Sequence, residues 1–420
     1  MSRSESDKSL IKQKVAASDA FCIMPWIHLH TTPEGVAAPC CIAESCSTHV
    51  GMGNAKTQRL MELVNSPGMK ELRLDMLDGK KNTECQKCYQ HEDVGIQSYR
   101  QSVNKVYTSG YDDVYENTNI EDGSLDKFNM RYYDIRFSNI CNFKCRTCGQ
   151  EYSSQWEQEN LRNNVSYALT FPKNSNKEFL QDVLDQIPNM EVAYFAGGEP
   201  LITEEHYIIL EEMIRQNRTD IVLRYNTNLS NLKFKNKDLI GLWKHFGKPV
   251  EVYASIDHVK ERAEYIRHGT DWGVVENNCW AIRKEPNIRL QFNTVLSAYN
   301  YLTIDQFYGY LIDSGLYSNR DGLYTLYNMS HPEFLSVHVL PTEFKQLGKE
   351  SVDRTISQME SLNFYPNKIE QLRNTHVWAT SENYWEEKKE LFKNETNRID
   401  LIRGEDFRKT FPELAPLMDL

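Results

Sequence analysis

The feature that most constrains the fold is an alternation of strand-like and helix-like segments between residues 132 and 329. Stretches rich in β-branched and aromatic residues alternate with amphipathic stretches of helical period, which is typical of parallel βα units. We predict six strands, at residues 132–137, 191–196, 221–226, 250–256, 288–296 and 323–329. Six such units predict an α/β fold, a partial (β/α)6 TIM-like barrel. In barrels of this kind the working groups lie at the C-terminal ends of the strands.

The regions on either side of this alternation differ in composition. Residues 1–128 hold six of the ten cysteines in loop-rich sequence, and residues 346–420 read as charged helices without cysteine. A domain usually has roughly 100–200 residues, so this length suggests two or three domains. We therefore predict an N-terminal cysteine-rich domain (1–128), a central barrel (129–345) and a C-terminal helical extension (346–420).

Charge and composition exclude several classes of protein. The formal net charge is -11 and no long Lys/Arg run occurs, which disfavours nucleic acid as the main partner. No apolar stretch has membrane-spanning length, and the first 20 residues lack the apolar core of a secretory signal. We expect a soluble, cytoplasmic protein with no membrane partner. Ten cysteines in such a chain indicate metal or redox chemistry rather than a disulfide framework.

Three cysteines lie within eight residues, directly after the first predicted strand. Cys141, Cys145 and Cys148 have the spacing C-x3-C-x2-C, and no fourth Cys or His is close in sequence. Thiolates suit zinc or an iron–sulfur cluster, and a structural zinc site normally has four ligands. Three ligands leave a position open, which is typical of a catalytic centre. Zinc with a distant fourth ligand remains an alternative on spacing alone.

A second motif, Gly197-Gly198-Glu199-Pro200, follows the second predicted strand. Together with the three cysteines it resembles the radical S-adenosylmethionine (radical SAM) superfamily, over roughly residues 129–330. The resemblance implies a [4Fe–4S] cluster on the three cysteines, with S-adenosylmethionine (AdoMet) bound to the fourth iron. It further implies an enzyme that cleaves AdoMet reductively to a 5′-deoxyadenosyl radical, which takes a hydrogen atom from a substrate. No catalytic side chain beyond the cluster ligands is assigned.

The resemblance also implies contacts to AdoMet at the rim of the barrel. The glycines would let the backbone approach AdoMet, Glu199 would accept from its ammonium group, and Arg267 would bind its carboxylate. Many family members carry an aromatic residue just before the third cysteine, where this chain has Thr147, and Phe143 would supply the apolar cover instead. An ordinary turn or surface role accounts for most of these residues equally well. The candidates are Phe143, Thr147, Gly197, Gly198, Glu199, Pro200, Asn226, Asn228, Ser255, Asp257 and Arg267.

The N-terminal cysteines form two further clips. Cys22 and Cys40 enclose the pattern C-x12-G-x4-C, and Cys85-x2-Cys88 follows, so that four thiolates are available for zinc or an iron–sulfur cluster. The order of these clips resembles the SPASM module, or its shorter form, twitch. The resemblance implies a second [4Fe–4S] cluster on Cys22, Cys40, Cys85 and Cys88. This module usually follows the barrel, whereas here it precedes it. Further ligand candidates are Cys41, adjacent to Cys40, then the spare Cys46, then His28 and His30.

The two clusters together predict the class of reaction. A fully ligated auxiliary cluster cannot bind substrate, so it would accept or relay an electron, which favours net oxidation. We expect oxidative modification of a peptide or protein, with flavodoxin or ferredoxin as the electron donor. One alternative is a small-molecule radical dehydrogenase that acts on a sugar or aminocyclitol. Another is a non-catalytic, zinc-binding, cysteine-rich interaction protein.

Overall fold

The computed structural model describes residues 4–48, 51–173, 175–318 and 325–420. Its strands are β1 (His28–Thr31), β2 (Ala37–Ala38), β3 (Tyr132–Ile135), β4 (Val192–Phe195), β5 (Val222–Thr227), β6 (Lys233–Phe234), β7 (Lys237–Asp238), β8 (Val250–Ser255), β9 (Ile288–Leu296) and β10 (Thr325–Asn328). All six predicted strands are confirmed, as β3, β4, β5, β8, β9 and β10. Their ends differ from the prediction by one or two residues, and residues 323 and 324 lie outside the described part of the chain.

Helices connect these strands and occupy both ends of the chain. Those of the first 128 residues are α1 (Glu5–Ala17), α2 (Met24–Ile27), α3 (Glu44–Thr48), α4 (Leu60–Val64), α5 (Pro67–Leu77), α6 (Gln86–Asp93), α7 (Tyr99–Val106) and α8 (Tyr111–Asn117). The central region contains α9 (Ser154–Arg162), α10 (Lys177–Asp185), α11 (Glu204–Arg215), α12 (Leu239–Trp243), α13 (Lys260–Ile266), α14 (Trp272–Arg283) and α15 (Ile304–Asp313). The C-terminal region contains α16 (Thr342–Ser361), α17 (Pro366–Ser381), α18 (Trp385–Arg403) and α19 (Phe407–Thr410).

The chain divides into two compact units. The first comprises Met1–Ile140, Leu169–Arg224 and Leu242–Lys248, and the second comprises Cys141–Ala168, Tyr225–Gly241 and Pro249–Leu420. In the first unit β1 pairs in parallel with β3 and antiparallel with β2, and β3 pairs in parallel with β4. In the second unit β8, β9 and β10 pair in parallel. β5 has residues in both units, and the mostly parallel sheet has eight strands.

Burial alternates along the strands as the pleat requires. Every second residue of β9 is buried, from Ile288 to Leu296, which gives the sheet one apolar face. Aromatic side chains fill the core of the second unit, where the rings of Tyr299 and Phe411 stack at 5.6 Å. Cys279 lies in α14 with 0% exposure, as expected for a core thiol. Among the described residues no helix is both long enough and apolar enough to cross a membrane.

Three local predictions were wrong or incomplete. The N-terminal region, expected to be loop-rich, is mainly helical, and β1 was not predicted because it has only four residues. The segment 404–414 was expected to be a helix, but only Phe407–Thr410 is α-helical. Pro412 follows at once, and a proline inside a helix removes a backbone donor and clashes with the preceding turn. Helix α17 was also missed, although Pro366 stands at its first turn.

Candidate iron–sulfur centres

The backbone of the three-cysteine loop is held in place by hydrogen bonds with the Ser154 side chain and within the loop. Ser154 Oγ donates to the Cys141 carbonyl at 3.1 Å, and the Cys141 amide donates back to Ser154 Oγ at 3.2 Å. The Phe143 amide points at Cys141 Sγ, 3.4 Å away. Such an N–H group stabilises negative charge on sulfur. This amide would therefore stabilise the Cys141 sulfur once it binds iron as a thiolate.

Cys145 is the most enclosed of the three thiols, with 7% exposure. Trp156 Nε1 donates to its carbonyl at 2.7 Å, and Arg267 Nη1 lies 3.9 Å from its Sγ. Burial raises the pKa of the Cys145 thiol, and the charge of Arg267 opposes that rise. Burial, together with the charge of Cys145, raises the pKa of Cys148 to about 12. The two thiols are therefore close enough to influence each other, as ligands of one cluster must be.

Arg267 lies between Cys145 and a buried carboxylate. Its Nε is 2.8 Å from Asp257 Oδ2, and Asp257 Oδ1 also accepts from the Val295 amide at 2.8 Å. The loop backbone runs along this segment, because the Arg146 amide donates to the Ile266 carbonyl at 2.7 Å. The second unit thus brings the predicted residues Asp257 and Arg267 to the three-cysteine loop. Their roles toward AdoMet stay predictions.

The other rim candidates of the second unit follow β5 and β8. Asn228 Nδ2 donates to the side chain of Asn142, inside the three-cysteine loop, at 2.9 Å, which ties the end of β5 to this loop. Asn226 accepts from Asn293 at 3.3 Å. Ser255 ends β8 and is half-buried. Within the loop itself, Phe143 is buried with 1% exposure, whereas Thr147 is half-buried. A buried Phe143 agrees with its predicted place as apolar cover.

The Gly-Gly-Glu-Pro motif belongs to the first unit and packs against the residue that precedes Cys141. A Cβ atom on Gly198 would lie 2.2 Å from the Ile140 carbonyl oxygen, and the Glu199 amide donates to that oxygen at 2.8 Å. Gly197 has a φ of +129°, a region that favours glycine. Glu199 is buried and accepts from the Leu201 amide at 3.0 Å, next to buried Pro200. The close approach seen here is thus to Ile140, and the approach to AdoMet stays a prediction.

The first unit brings the N-terminal cysteines together. The charges of Cys85 and Cys88 act on Cys22, and those of Cys22 and Cys85 act on Cys40. Burial raises the pKa of each thiol for which a shift is resolved, to about 12 for Cys85. Cys22 and Cys88 are buried, whereas Cys40 and Cys85 are half-buried, and the four thiols supply the soft donors that an iron–sulfur cluster requires.

An ion pair between the buried Arg100 and the half-buried Glu92 joins the two cysteine clips. Arg100 Nη2 is 2.5 Å from Glu92 Oε2, and Arg100 Nη1 donates to the Phe21 carbonyl at 2.8 Å. Glu92 lies on α6, the helix that carries Cys88, and Phe21 directly precedes Cys22. Arg100 therefore fixes the first clip relative to the second. Sequence reasoning missed this pair because nothing in the spacing of the two residues marks it.

The backbone conformation and the close packing at Gly35, between Cys22 and Cys40, require a glycine. Gly35 has a φ of +94°, and a Cβ atom there would lie 2.4 Å from Asn54 Oδ1. A side chain at this position would be both strained and blocked. Gly35, the glycine of the C-x12-G-x4-C pattern, thus allows the turn between β1 and β2, and Cys40 follows directly after β2.

The additional ligand candidates occupy different surroundings. Burial and then the charge of Cys41 raise the pKa of Cys46 to about 12, and Cys46 Sγ donates to the Cys40 carbonyl at 3.3 Å. His28 Nδ1 donates to the Tyr132 carbonyl at 2.8 Å, and His30 Nδ1 is 2.9 Å from Asp134 Oδ2. Within the described ranges, no group of three or more His, Cys, Asp or Glu side chains is placed so that it could hold a metal ion. The ligand sets themselves stay predictions.

Comparison with known proteins identifies the N-terminal module. Residues 22–89 match the family model of SPASM, an iron–sulfur cluster-binding domain. This segment encloses both predicted clips, and the prediction of a SPASM-type module is confirmed. Residues 22–89 thus form a SPASM-type module, a domain that binds an iron–sulfur cluster, and the N-terminal thiols described above provide a suitable donor chemistry for one. The radical SAM assignment of the central region and the binding of AdoMet stay predictions.

Several solved structures are similar to parts of this chain. Native anSMEcpe with bound AdoMet and the Cp18Cys peptide is 17% identical, with a TM-score of 0.37, and the match covers 54% of this chain and 60% of that chain. Native anSMEcpe with bound AdoMet is 18% identical, with the same TM-score of 0.37 and the same coverage of 54% and 60%. TYW1 with a bound lysine-pyruvate adduct is 15% identical, with a TM-score of 0.23 and coverage of 43% and 59%. The matches to anSMEcpe thus span about 60% of that chain. The comparison with curated proteins found no match.

Proposed function

We propose that this protein is a radical SAM enzyme that cleaves AdoMet reductively and oxidatively modifies a peptide or protein. The observation that supports it best is the placement of Cys145 and Cys148 beside the ion pair between Arg267 and the buried Asp257. A [4Fe–4S] cluster bound there would supply one electron to AdoMet. The residues of the chain would bind the cluster, orient the carboxylate of AdoMet through Arg267, and exclude water from the site.

The auxiliary thiols support an oxidation rather than a rearrangement. Cys22, Cys40, Cys85 and Cys88 would take up all four ligand positions of a cube, so a cluster there would exchange electrons without binding substrate. The peptide or protein substrate is proposed from the SPASM domain, because many known bearers of this module act on peptides. The electron for AdoMet cleavage would come from flavodoxin or ferredoxin.

The first experiment is anaerobic reconstitution of the full chain with iron and sulfide. With a strong reductant and AdoMet, we expect 5′-deoxyadenosine, measured by chromatography. Cys145→Ala should abolish it, whereas the control Cys279→Ala, which removes a thiol from the core of α14, should keep it. Protein that binds only zinc and forms no 5′-deoxyadenosine would refute the proposal.

The second experiment separates the auxiliary cluster from AdoMet cleavage. Cys85→Ala should still form 5′-deoxyadenosine but should lose the oxidised product of a peptide library, detected by mass spectrometry. Wild-type enzyme that forms 5′-deoxyadenosine yet modifies no peptide would favour the small-molecule dehydrogenase instead.

A further inference from the structure

Inside the three-cysteine loop, Arg146 is enclosed by residues from the C-terminal end of the chain. Its side chain has 0% exposure, and its Nη2 is 2.5 Å from both Asp400 Oδ1 and Glu405 Oε2. Its guanidinium group lies 3.7 Å above the ring of Tyr265. A buried cation requires this kind of pairing, because an unpaired one is costly to desolvate. The loop therefore depends on residues more than 250 positions away in sequence.

A second chain of contacts reaches Cys145 itself. Lys144 binds Glu159, and Glu159 Oε1 is 2.8 Å from Nη2 of Arg403, whose side chain has 0% exposure. The Arg403 guanidinium lies 4.5 Å above the ring of Trp156. Trp156 in turn donates to the Cys145 carbonyl at 2.7 Å. Arg403 thus stacks on the indole of Trp156, and that indole is hydrogen-bonded to Cys145, the second of the three cysteines.

The turn after α18 makes these contacts possible. Gly404 has a φ of +66° and ends the helix in the left-handed conformation, so that the chain turns back and Glu405 faces the loop. Glu405 Oε1 is also 2.5 Å from His268 Nδ1, and the His268 carbonyl accepts from the Lys144 amide at 2.9 Å. The Glu405 carboxylate therefore contacts both Arg146, in the three-cysteine loop, and His268, the residue after Arg267.

We propose that Asp400, Arg403 and Glu405 are positioning residues for the cluster on the three-cysteine loop. They hold Arg146 and Trp156, and through them they fix Cys145 relative to Arg267. The C-terminal segment, whose role stays open in the sequence analysis, is on this account a support of the metal centre. The inference rests on the proposed function, because it assumes that the loop binds a [4Fe–4S] cluster.

The test compares cluster release in the full-length protein. The double variant Asp400→Asn/Glu405→Gln removes both charges from Arg146 with little change in shape. The matched control is Glu413→Gln, which breaks the 2.9 Å ion pair with Arg262 in the same C-terminal segment. After reconstitution and reduction, electron paramagnetic resonance detects the cluster whose signal changes when AdoMet is added. That response distinguishes the three-cysteine cluster from the fully ligated auxiliary one.

We expect a chelator to remove the AdoMet-responsive signal about tenfold faster from the double variant than from wild type. The control should stay within about twofold of wild type. The AdoMet-insensitive signal and the melting temperature show whether the double variant is folded. Should it unfold, Glu405→Gln alone, which leaves Asp400 on Arg146, should accelerate release in the same direction.

The outcomes separate the two proposals. Equal release rates in wild type, Glu405→Gln and the double variant would overturn the positioning role and leave the proposed function intact. Wild-type protein without any AdoMet-responsive signal would overturn the proposed function, and the positioning role with it.

Discussion

Gly198→Ala tests whether the second motif is built for packing against the chain itself. The added Cβ would lie 2.2 Å from the Ile140 carbonyl oxygen and 2.7 Å from the Ile140 carbonyl carbon. Both are backbone atoms, so no flexible side chain can move aside to accommodate it. The Ile140 backbone would have to move away from the added Cβ. The same carbonyl oxygen accepts a 2.8 Å hydrogen bond from the Glu199 amide, and this displacement would weaken that bond. Because Ile140 directly precedes Cys141, the displacement would also disturb the first cluster ligand.

The magnitude follows from the two losses. Overpacking a filled site costs about 1–3 kcal/mol, and a weakened hydrogen bond adds about 1 kcal/mol. A change of 1 kcal/mol shifts the melting temperature of a unit of about 200 residues by about 2–4 °C. The two losses sum to about 2–4 kcal/mol, so we expect a decrease of about 4–16 °C, measured by circular dichroism, together with less iron bound per chain.

The control is Gly247→Ala, in the same unit. A Cβ there would have its nearest neighbour, the Thr219 carbonyl oxygen, at 3.9 Å, which is ordinary contact. Its melting temperature should stay within about 1 °C of wild type. If Gly198→Ala melted with the control and bound iron like wild type, the packing role would be refuted.

Three further predictions concern the first unit. Arg100→Ala should lower the free energy of unfolding by about 2 kcal/mol in urea titrations, because it leaves the half-buried Glu92 without its 2.5 Å partner. Burial lowers the pKa of His28 to about 4. The unfolded state therefore binds more protons than the folded state between about pH 6.5 and pH 4, and stability falls as the pH falls through that window. Between pH 7 and pH 5 the protonation of His28 in the unfolded state should lower the free energy of unfolding by about 2 kcal/mol. His28→Asn should remove this part of the pH dependence of stability, measured by urea titrations at each pH. An unchanged pH dependence would contradict the reasoning. Cys46→Ser should keep the auxiliary cluster, whereas Cys85→Ser should lose about four iron atoms per chain by iron analysis, and equal iron in both would contradict the predicted ligand set.

The sequence predicted those parts of the protein that depend on local pattern. Period and residue type were sufficient for the six strands. The SPASM module was predicted from the resemblance of the cysteine order to that family, since spacing alone left zinc open, and the match over residues 22–89 confirms it. The missed helix α17 contains Asn, Thr and His, which have weak helix propensity, so packing rather than local preference forms it.

Contacts between distant parts of the chain could not be predicted in this way. The partners of Arg146 lie more than 250 residues away, and each of them reads as an ordinary surface charge. Sequence position gives no measure of burial for such residues. The signal available in the sequence was indirect: a cation between two predicted metal ligands needs an anion from elsewhere.

The parallel pairing of β1 with β3 limits how the protein can be cut. His28 to Thr31 lie in register with Tyr132 to Ile135, so the segment before the predicted boundary at residue 128 covers the edge of the strand that leads to the three-cysteine loop. A fragment beginning at residue 129 would leave the backbone donors and acceptors of that edge unpaired, and such edges promote aggregation. The SPASM module therefore also covers the edge of β3 and keeps that strand from pairing with another molecule.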